Sequence, residues 1–357
     1  MSWSCSSASG RGLSVDVVCQ TEIGRRLGAW RQYLRNAPSA YPDPAWLLVA
    51  ADGLRCESYC LEARRGQEIV GLLPLAHLTS FLFGRFLVSL PFVSRGGVSA
   101  DDDETARALI DTAVVMADNL DVRYLQLRHE QAVEHPLLMP THLDKVHMCL
   151  GLPEDAACLW RSFPHKVRNQ VRKAERFAFG VDSGGAELLD DFYAVYSRCM
   201  RDLGTPATGR RIFASILAQF PDRAEICVVR KDKLPVAVNL LFHGPGRTEA
   251  LRGAVLHAFR PTAANMLLHW HLLQHAIGRG SQIFDFGCTT IDSGTFRFKK
   301  LWGAKPQPAG WHCYARKGRA DVMRRKGGRY DHLIRRWRRL PLVLANSLGP
   351  LIARGIP

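Results

Sequence analysis

The residues best suited to chemistry lie between positions 285 and 302. Asp285-Phe286-Gly287 closes an apolar stretch, and Phe298-Lys299-Lys300 follows about a dozen residues later, ahead of Trp302-Gly303. Acyl transfer to an amine needs a cation or donor at the developing oxyanion and an exit for the amine proton. A lysine and a carboxylate at one cleft mouth have the right charges. Lys299 or Lys300 serves the oxyanion. Asp285 positions the amine or accepts its proton, or else anchors the glycine-containing turn by accepting backbone N–H bonds.

Cationic groups that could hold an anionic substrate recur nearby in the chain. On a helix, Val167, Val171 and Ala174 share one face, whereas Arg168, Arg172 and Arg176 recur every fourth residue on another, with Lys166 beside them. Like charges at that spacing repel by a few tenths of a kcal/mol per pair, so the stripe is either neutralised by something anionic or solvated. Arg201 and Asp202 end an amphipathic helix before Gly204-Thr205-Pro206, as a substrate contact with Thr205 at a rigid turn or as an ion pair that locks helix to loop. Arg252 alternates with Ala250 and Ala254 on a strand, where it lines a cleft or points to solvent. His271 and His275 have metal-ligand spacing, but Leu272 stands where an HExxH motif needs glutamate, so packing and no metal are expected. Cys288 has no readable histidine and acid partners for a nucleophilic thiol.

Stepping outward, periodicity predicts the elements that must position these groups. A helix at about 21–35, strands at 57–63 and 68–77, a helix at 104–119 and strands at 122–128 and 145–150 are expected in the first half. Asp101 to Glu104 offers a cap and an acidic first turn for the helix at 104–119. The second half repeats the order: helices at 164–177 and 187–202, strands at 224–230, 235–243 and 247–256, a helix at 264–278 and a strand at 282–286. Two polar hairpin turns, Arg64-Arg65-Gly66-Gln67 and Arg230-Lys231-Asp232-Lys233, fall in matching places. The fold class expected is α/β (α+β): two tandem modules, each a mostly antiparallel sheet flanked by helices.

The chain has 357 residues, 47% hydrophobic and 23% charged, which excludes a disordered or fibrous protein. Its formal charge of +15 is concentrated in two windows, 161–176 and 316–339, a patchiness that suits an anionic partner. Ten scattered cysteines give no disulfide or zinc pattern, and no export signal is legible, so a reduced, cytoplasmic setting is expected. The low-charge run Gly71 to Val93 contains Pro74, His77, Arg85 and Pro91 and is read as buried strands rather than a membrane span. From Tyr330, the residues Leu333, Ile334, Trp337 and Leu340 form an apolar stripe beside Arg335, Arg336, Arg338 and Arg339, followed by apolar 342–352. That pattern suits peripheral contact with an anionic membrane surface at the cytoplasmic face, or docking on the second module.

Asp285-Phe286-Gly287, Phe298-Lys299-Lys300, Trp302-Gly303, the 166–168 Lys-Val-Arg helix, Phe192 to Tyr196 and Met200-Arg201-Asp202-Leu203-Gly204-Thr205-Pro206 together resemble the FemAB-related proteins of the PEP-CTERM/exosortase-associated type. The basic tail is similar to theirs as well. The resemblance implies tandem acetyltransferase-like (GNAT) modules and an acyl- or aminoacyltransferase acting on a phosphate-bearing or lipid-linked cell-envelope or exopolysaccharide precursor. Its donor would be an aminoacyl-tRNA or an acyl-CoA, with no resident cofactor. By the same resemblance Lys299 stabilises transition-state charge, and Lys166 and Arg168 hold phosphates. Arg172, Arg201, Asp202, Thr205, Arg252, Lys300 and Trp302 are read from their positions in the chain as further candidate substrate contacts. The loop Cys288 to Asp292 departs from the basic loop of related sequences, which leaves open a catalytically inactive scaffold. The expected division is a disordered 1–20, a first module at 21–150, a linker at 151–161, a second module at 162–315 and a basic tail at 316–357.

Overall fold

A computed structural model describes residues 4–9, 12–35, 42–130, 133–316 and 331–355. Its elements begin with β1 (Ser4–Ser9), β2 (Leu13–Cys19), α1 (Gln20–Arg35), α2 (Trp46–Leu54), β3 (Glu57–Arg65) and β4 (Glu68–Ser80). Next come β5 (Gly84–Val88), β6 (Ser99–Ala100), α3 (Asp103–Asn119), β7 (Tyr124–His129) and β8 (Met139–Pro140). The chain continues through β9 (Lys145–Gly151), α4 (Ala156–Ser162), α5 (His165–Glu175), β10 (Gly180–Gly184), α6 (Leu189–Leu203) and α7 (Arg210–Gln219). It then forms β11 (Ala224–Lys231), β12 (Leu234–Gly244), β13 (Arg247–Val255), α8 (Ala264–Gly278), β14 (Ile283–Thr290) and α9 (Gly294–Leu301). The last elements are β15 (Lys305–Pro308), β16 (Gly310–Ala315), α10 (Asp331–Arg338) and α11 (Leu342–Ala353).

The chain divides into two compact units, with breaks between Leu143 and Asp144 and between Pro308 and Ala309, and with residues 331–350 joining the second unit and 351–355 the first. The first contains the sheet β1-β2-β3-β4-β5-β7-β16-β8. Its neighbours are antiparallel except β5 and β7, which run parallel. Helix α3 starts where Asp102 accepts a hydrogen bond from the Thr105 N–H, at the acidic run that predicted it. It buries Leu109, Ile110, Ala113 and Ala117 against Leu61, Leu73, Leu87 and Leu125 of the sheet. The apolar run 71–93 supplies β4 and β5, and among the described residues no helix is long and apolar enough to cross a membrane.

The second unit contains the sheet β10-β11-β12-β13-β14-β9-β15. Again one neighbouring pair, β13 and β14, is parallel. Helix α5 buries the predicted face, Val167, Val171 and Ala174, in a core shared with Leu268 and Leu272 of α8, Phe286 of β14 and Trp302. The order β2-α1-α2-β3-β4-β5-α3-β7 is repeated as β10-α6-α7-β11-β12-β13-α8-β14, so the duplication expected from the sequence is present in the fold. Both hairpin turns contain a left-handed residue, Gly66 and Asp232.

The final strand of each sheet is exchanged relative to chain order. β9, expected to close the first module, pairs with β14 and β15 of the second sheet. β16, a strand not expected from the sequence and placed inside the expected second module, pairs with β7 of the first. An apolar alternation fixes that a segment is a strand but not which edge receives it, and this moves the expected 150/151 and 315/316 boundaries. The expected linker 151–161 contains most of α4, whose first turn is capped by Asp155 accepting from Ala157 and Cys158. The expected disordered 1–20 contains β1 and β2, because Leu13, Val15 and Val18 bury against the first sheet. Residues 1–3, 10 and 11 of that segment, and 317–330 of the tail with Tyr330, lie outside the described residues.

Candidate active site

Strands β13 and β14 pair in parallel only at Arg247 with Ile283, Thr248 with Phe284 and Glu249 with Asp285. Beyond that point β13 stays with β12 out to Val255, while β14 follows β9 through a register shift between Asp285 and Cys288. The two parallel strands therefore part at Asp285-Phe286-Gly287. Gly287 has φ +79°, and a Cβ there would lie 3.3 Å from the Ala250 carbonyl oxygen, so a side chain would meet both backbone strain and the neighbouring strand. The glycine of the motif is there because the fork needs it.

Lys299 reaches this fork from α9, a helix started by Ser293, whose hydroxyl accepts from the Phe296 N–H. The Nζ donates to the carbonyls of Gly287 at 2.9 Å and Cys288 at 3.3 Å. An ammonium has three donors, so among the described residues one remains for a substrate oxygen. Burial pushes the Lys299 ammonium down from its ordinary 10.5 to about 8, against the opposing pull of Asp285, Cys288, Glu249 and Cys149. The group is thus still largely a cation at neutral pH, and a poorly hydrated one.

Asp285 is fully buried. Its Oδ1 accepts from the Gly287 N–H at 2.9 Å, and its Oδ2 lies 3.5 Å from Arg247 Nη1 and 3.6 Å from His147 Nδ1. Of the roles open to it in sequence, the anchoring one has its hydrogen bond in place. Its negative charge also favours the protonated form of Lys299. His147 is 3% exposed, sits opposite Cys288 on β9, and has no hydrogen-bond partner for Nδ1 among the described residues.

Beneath the lysine lies an aromatic floor. His269 of α8 is stacked on Phe286 and Trp302 and meets Phe298 edge-on. Its Nδ1 donates to the Asn265 carbonyl at 2.8 Å, and burial, with Lys299 adding to it, holds the ring at about 4, so it is neutral. Trp302, expected at the substrate, is instead fully buried and meets Phe163 edge-on. It supports α9 from below, because the largest apolar ring is most favourably placed under the helix rather than at its solvent edge.

The remaining expected residues separate into distinct places. Arg252 is half-buried on the part of β13 that has left β14. Lys300 is exposed, one residue further round α9 than Lys299. On α5, Lys166 and Arg172 are exposed, Arg172 lies over the Trp160 ring at 5.9 Å, and Arg168 is half-buried with no hydrogen-bond partner for its Nε among the described residues. Among the described residues no hydrogen bond or ion pair joins these α5 cations to Lys299. Arg201, Asp202 and Thr205 are not at the fork. Arg201 Nε donates to Asp202 at 2.6 Å and its Nη1 to the Leu340 carbonyl at 2.9 Å, while the Thr205 N–H donates to Met200. That turn instead holds the tail: Gly204, at φ +78°, leaves so little room that a Cβ would lie 2.5 Å from Ile334 Cγ2 of α10. The stripe Ile334, Trp337, Leu340 is therefore the docked face of the tail.

Sequence reasoning missed Arg247, Glu249, Cys149 and His147, which surround the same carboxylate and lysine. Their charges alternate with apolar residues on β9 and β13, a pattern that marks a strand face but not its partner across the sheet.

Residues 161–300 match the family model of the Acetyltransferase (GNAT) domain. No curated protein matches the chain significantly. Among solved structures, FemX is similar at 15% identity and TM-score 0.62, covering 81% of this chain and 95% of its own. A domain described as the C-terminal (DUF2156) part of a lysylphosphatidylglycerol synthetase of Agrobacterium fabrum is similar at 14% identity and TM-score 0.54, over 82% of this chain and 91% of its own. A tandem GNAT protein of the clavulanic acid biosynthesis pathway is similar at 13% identity and TM-score 0.51, over 85% of this chain and 98% of its own. The duplicated element order, the parallel strand pair in each sheet and these likenesses establish a FemAB-like fold of two tandem GNAT-like modules.

Proposed function

We propose that this chain is an N-acyl- or aminoacyltransferase acting on a phosphate-bearing or lipid-linked precursor of the cell envelope or of an exopolysaccharide, in a PEP-CTERM/exosortase-associated system. The observation that carries the reading is the half-buried Lys299 ammonium held at the fork of β13 and β14 with, among the described residues, one donor free. The GNAT match over 161–300, which includes this lysine, and the FemX-like fold support acyl transfer. In the reaction an acceptor amine forms an amide bond to the acyl carbon while the ester or thioester bond of the donor breaks. Lys299 donates to the carbonyl oxygen as it becomes an oxyanion, and the ammonium proton of the acceptor passes to the leaving oxygen or sulfur. Asp285 holds the Gly287 bulge whose carbonyls aim the lysine. Arg168 and Arg172, with Lys166, supply the phosphate contacts on α5. The donor is an aminoacyl-tRNA, for which the +15 charge is favourable electrostatics, or an acyl-CoA. A lipid-linked acceptor would be met at the cytoplasmic face of the membrane.

Mass spectrometry of envelope and polysaccharide precursors tests this reading. A strain lacking the gene should accumulate an unmodified amine-bearing precursor, and wild type, but not Lys299→Ala, should restore its acylated form. The second reading, a scaffold that binds such precursors without modifying them, is favoured by the Cys288 to Asp292 loop, which carries no cation. Full complementation by Lys299→Ala would establish it in place of the enzyme.

A further inference from the structure

Helix α11 is built inside out for an element held only by its own chain. Its covered residues are the small ones: Ala345 and Gly349 are buried, and a Cβ at Gly349 would lie 3.0 Å from the Ala207 nitrogen. Pro350 closes the same contact, 3.2 Å from a Cβ built on Gly209. Its large residues face outward, with Val343 at 76%, Leu344 at 50% and Leu348 at 45% exposure. Leu344, Leu348 and Leu351 follow the i, i+4, i+7 spacing of one helical face. Ser347 interrupts the outward row, but its hydroxyl donates to the Val343 carbonyl at 3.0 Å, and the exposed leucines and valine around it are covered by none of the described residues.

The neighbouring element supplies the charge. Arg335, Arg336 and Arg339 in and just after α10 are exposed, and none has an acidic partner among the described residues. This corner is fixed rather than loose, because Arg201 donates to the Leu340 carbonyl and Arg338 Nη2 to that of Leu203 at 3.4 Å. A row of exposed leucines and valine beside unpaired arginines is complementary to an anionic bilayer, whose phosphates meet the arginines while the apolar row enters the acyl boundary. An isologous contact with a second copy, centred on α11, would instead bring two arginine rims toward each other.

We propose that Val343, Leu344 and Leu348 of α11 insert into an anionic membrane surface, with Arg335, Arg336 and Arg339 on the lipid phosphates. The proposal extends the membrane-facing part of the function above and stands apart from the transfer chemistry. The test is co-sedimentation of the full chain with vesicles of mixed phosphatidylglycerol and phosphatidylcholine, compared with phosphatidylcholine alone. Wild type should partition to the anionic vesicles, less so as salt rises. The pair Leu344→Asp with Leu348→Asp should weaken partitioning by about tenfold or more, with an unchanged circular dichroism spectrum. The milder pair Leu344→Ala with Leu348→Ala, if the first does not fold, should act in the same direction, and Arg335→Gln with Arg336→Gln should abolish the preference for anionic vesicles. Absence of wild-type partitioning, equal partitioning by the folded leucine variants, or self-association that these variants abolish would overturn it. Lys299→Ala should bind vesicles as wild type does, so failure here and failure of the transfer reading are separable.

Discussion

Replacing Lys299 with methionine removes a charge that the fold holds at a cost. The lysine titrates near 8 in the folded chain, against an ordinary 10.5, because burial disfavours the ammonium. Below pH 8 it is charged in both folded and unfolded states, and the burial cost is constant. Between about 8 and 10.5 the unfolded chain holds a proton that the folded chain has released, so folding stability rises with pH across that window and levels above it. At about 1.4 kcal/mol for each tenfold change in proton affinity, the full rise is on the order of 3 kcal/mol. Lys299→Met has no such group. The free energy of unfolding of wild type minus that of Lys299→Met, measured by denaturant titration at a series of pH values, should therefore climb by roughly that amount between pH 8 and 10.5. Constant terms, including the lost hydrogen bonds to Gly287 and Cys288, cancel in the slope. Transfer by the wild type should fall as pH rises through about 8, the lower edge of that window, because only the protonated lysine can meet an oxyanion. A flat difference curve would show that Lys299 is solvated as an ordinary surface lysine, and the argument for its role would fail with it.

Lys299→Ala, which deletes the donor while keeping the fork, should lower transfer by about 100- to 1,000-fold in an assay with isolated precursor. Gly287→Val should cost about 1–3 kcal/mol from strain at positive φ and the approach of Ala250, and should disturb Lys299 as well, read by thermal unfolding and transfer rate. Gly204→Val should release the tail, since an added Cβ would meet the Ile334 side chain at 2.5 Å and its backbone carbonyl at 3.1 Å, and should speed proteolytic cleavage among Arg335 to Arg339 with little change in the far-ultraviolet spectrum. Glu225 is buried, which raises its carboxyl, but hydrogen bonds with His243 at 3.1 Å and His275 at 2.9 Å outweigh that and hold it below the usual range. Its stabilisation is therefore full above pH 4.5 and lost as pH falls toward the folded value, so Glu225→Gln should flatten the acid limb of stability measured between pH 3 and 6.

The local elements were legible because each rests on a short-range pattern. Val167, Val171 and Ala174 announced the buried side of α5, and Asp102 announced the start of α3. The duplication was legible because two hairpin turns and six elements recur in order. What escaped was pairing at a distance. Lys145 to Gly151 alternates as a strand should, yet nothing in those seven residues states that Phe284 will lie beside Leu150. For the same reason Lys299 and Asp285 were visible as a motif, while His147, 138 positions upstream of Asp285, was not. Trp302 and the Arg201 turn were misplaced for a different reason. A motif marks residues that a fold cannot do without, and a buried ring under a helix or a glycine under a docked tail is as indispensable as a substrate contact.

The two modules differ at the place where the proposed transfer would need an open fork. In the first sheet β5 and β7 pair in parallel from Phe86 with Tyr124 to Val88 with Gln126, as β13 and β14 do in the second. There, however, the chain leaving β5 stays on β7: Ser89 donates to Gln126, and Gly96 and Gly97 both donate to the Arg128 carbonyl. Arg128 itself spans the gap, bonding Gln126 Oε1 and the Val93 carbonyl while lying over Trp311. The fork is closed by backbone and by a guanidinium already satisfied. No lysine or arginine occurs from Glu130 to Leu143, the segment following β7, whereas the segment following β14 delivers Lys299 within a dozen residues of Gly287. A cation buried beside two bulge carbonyls is unfavourable unless something anionic completes its environment. Among the described residues the second fork maintains such a group and the first does not, which is the reason the proposed transfer is assigned to the second.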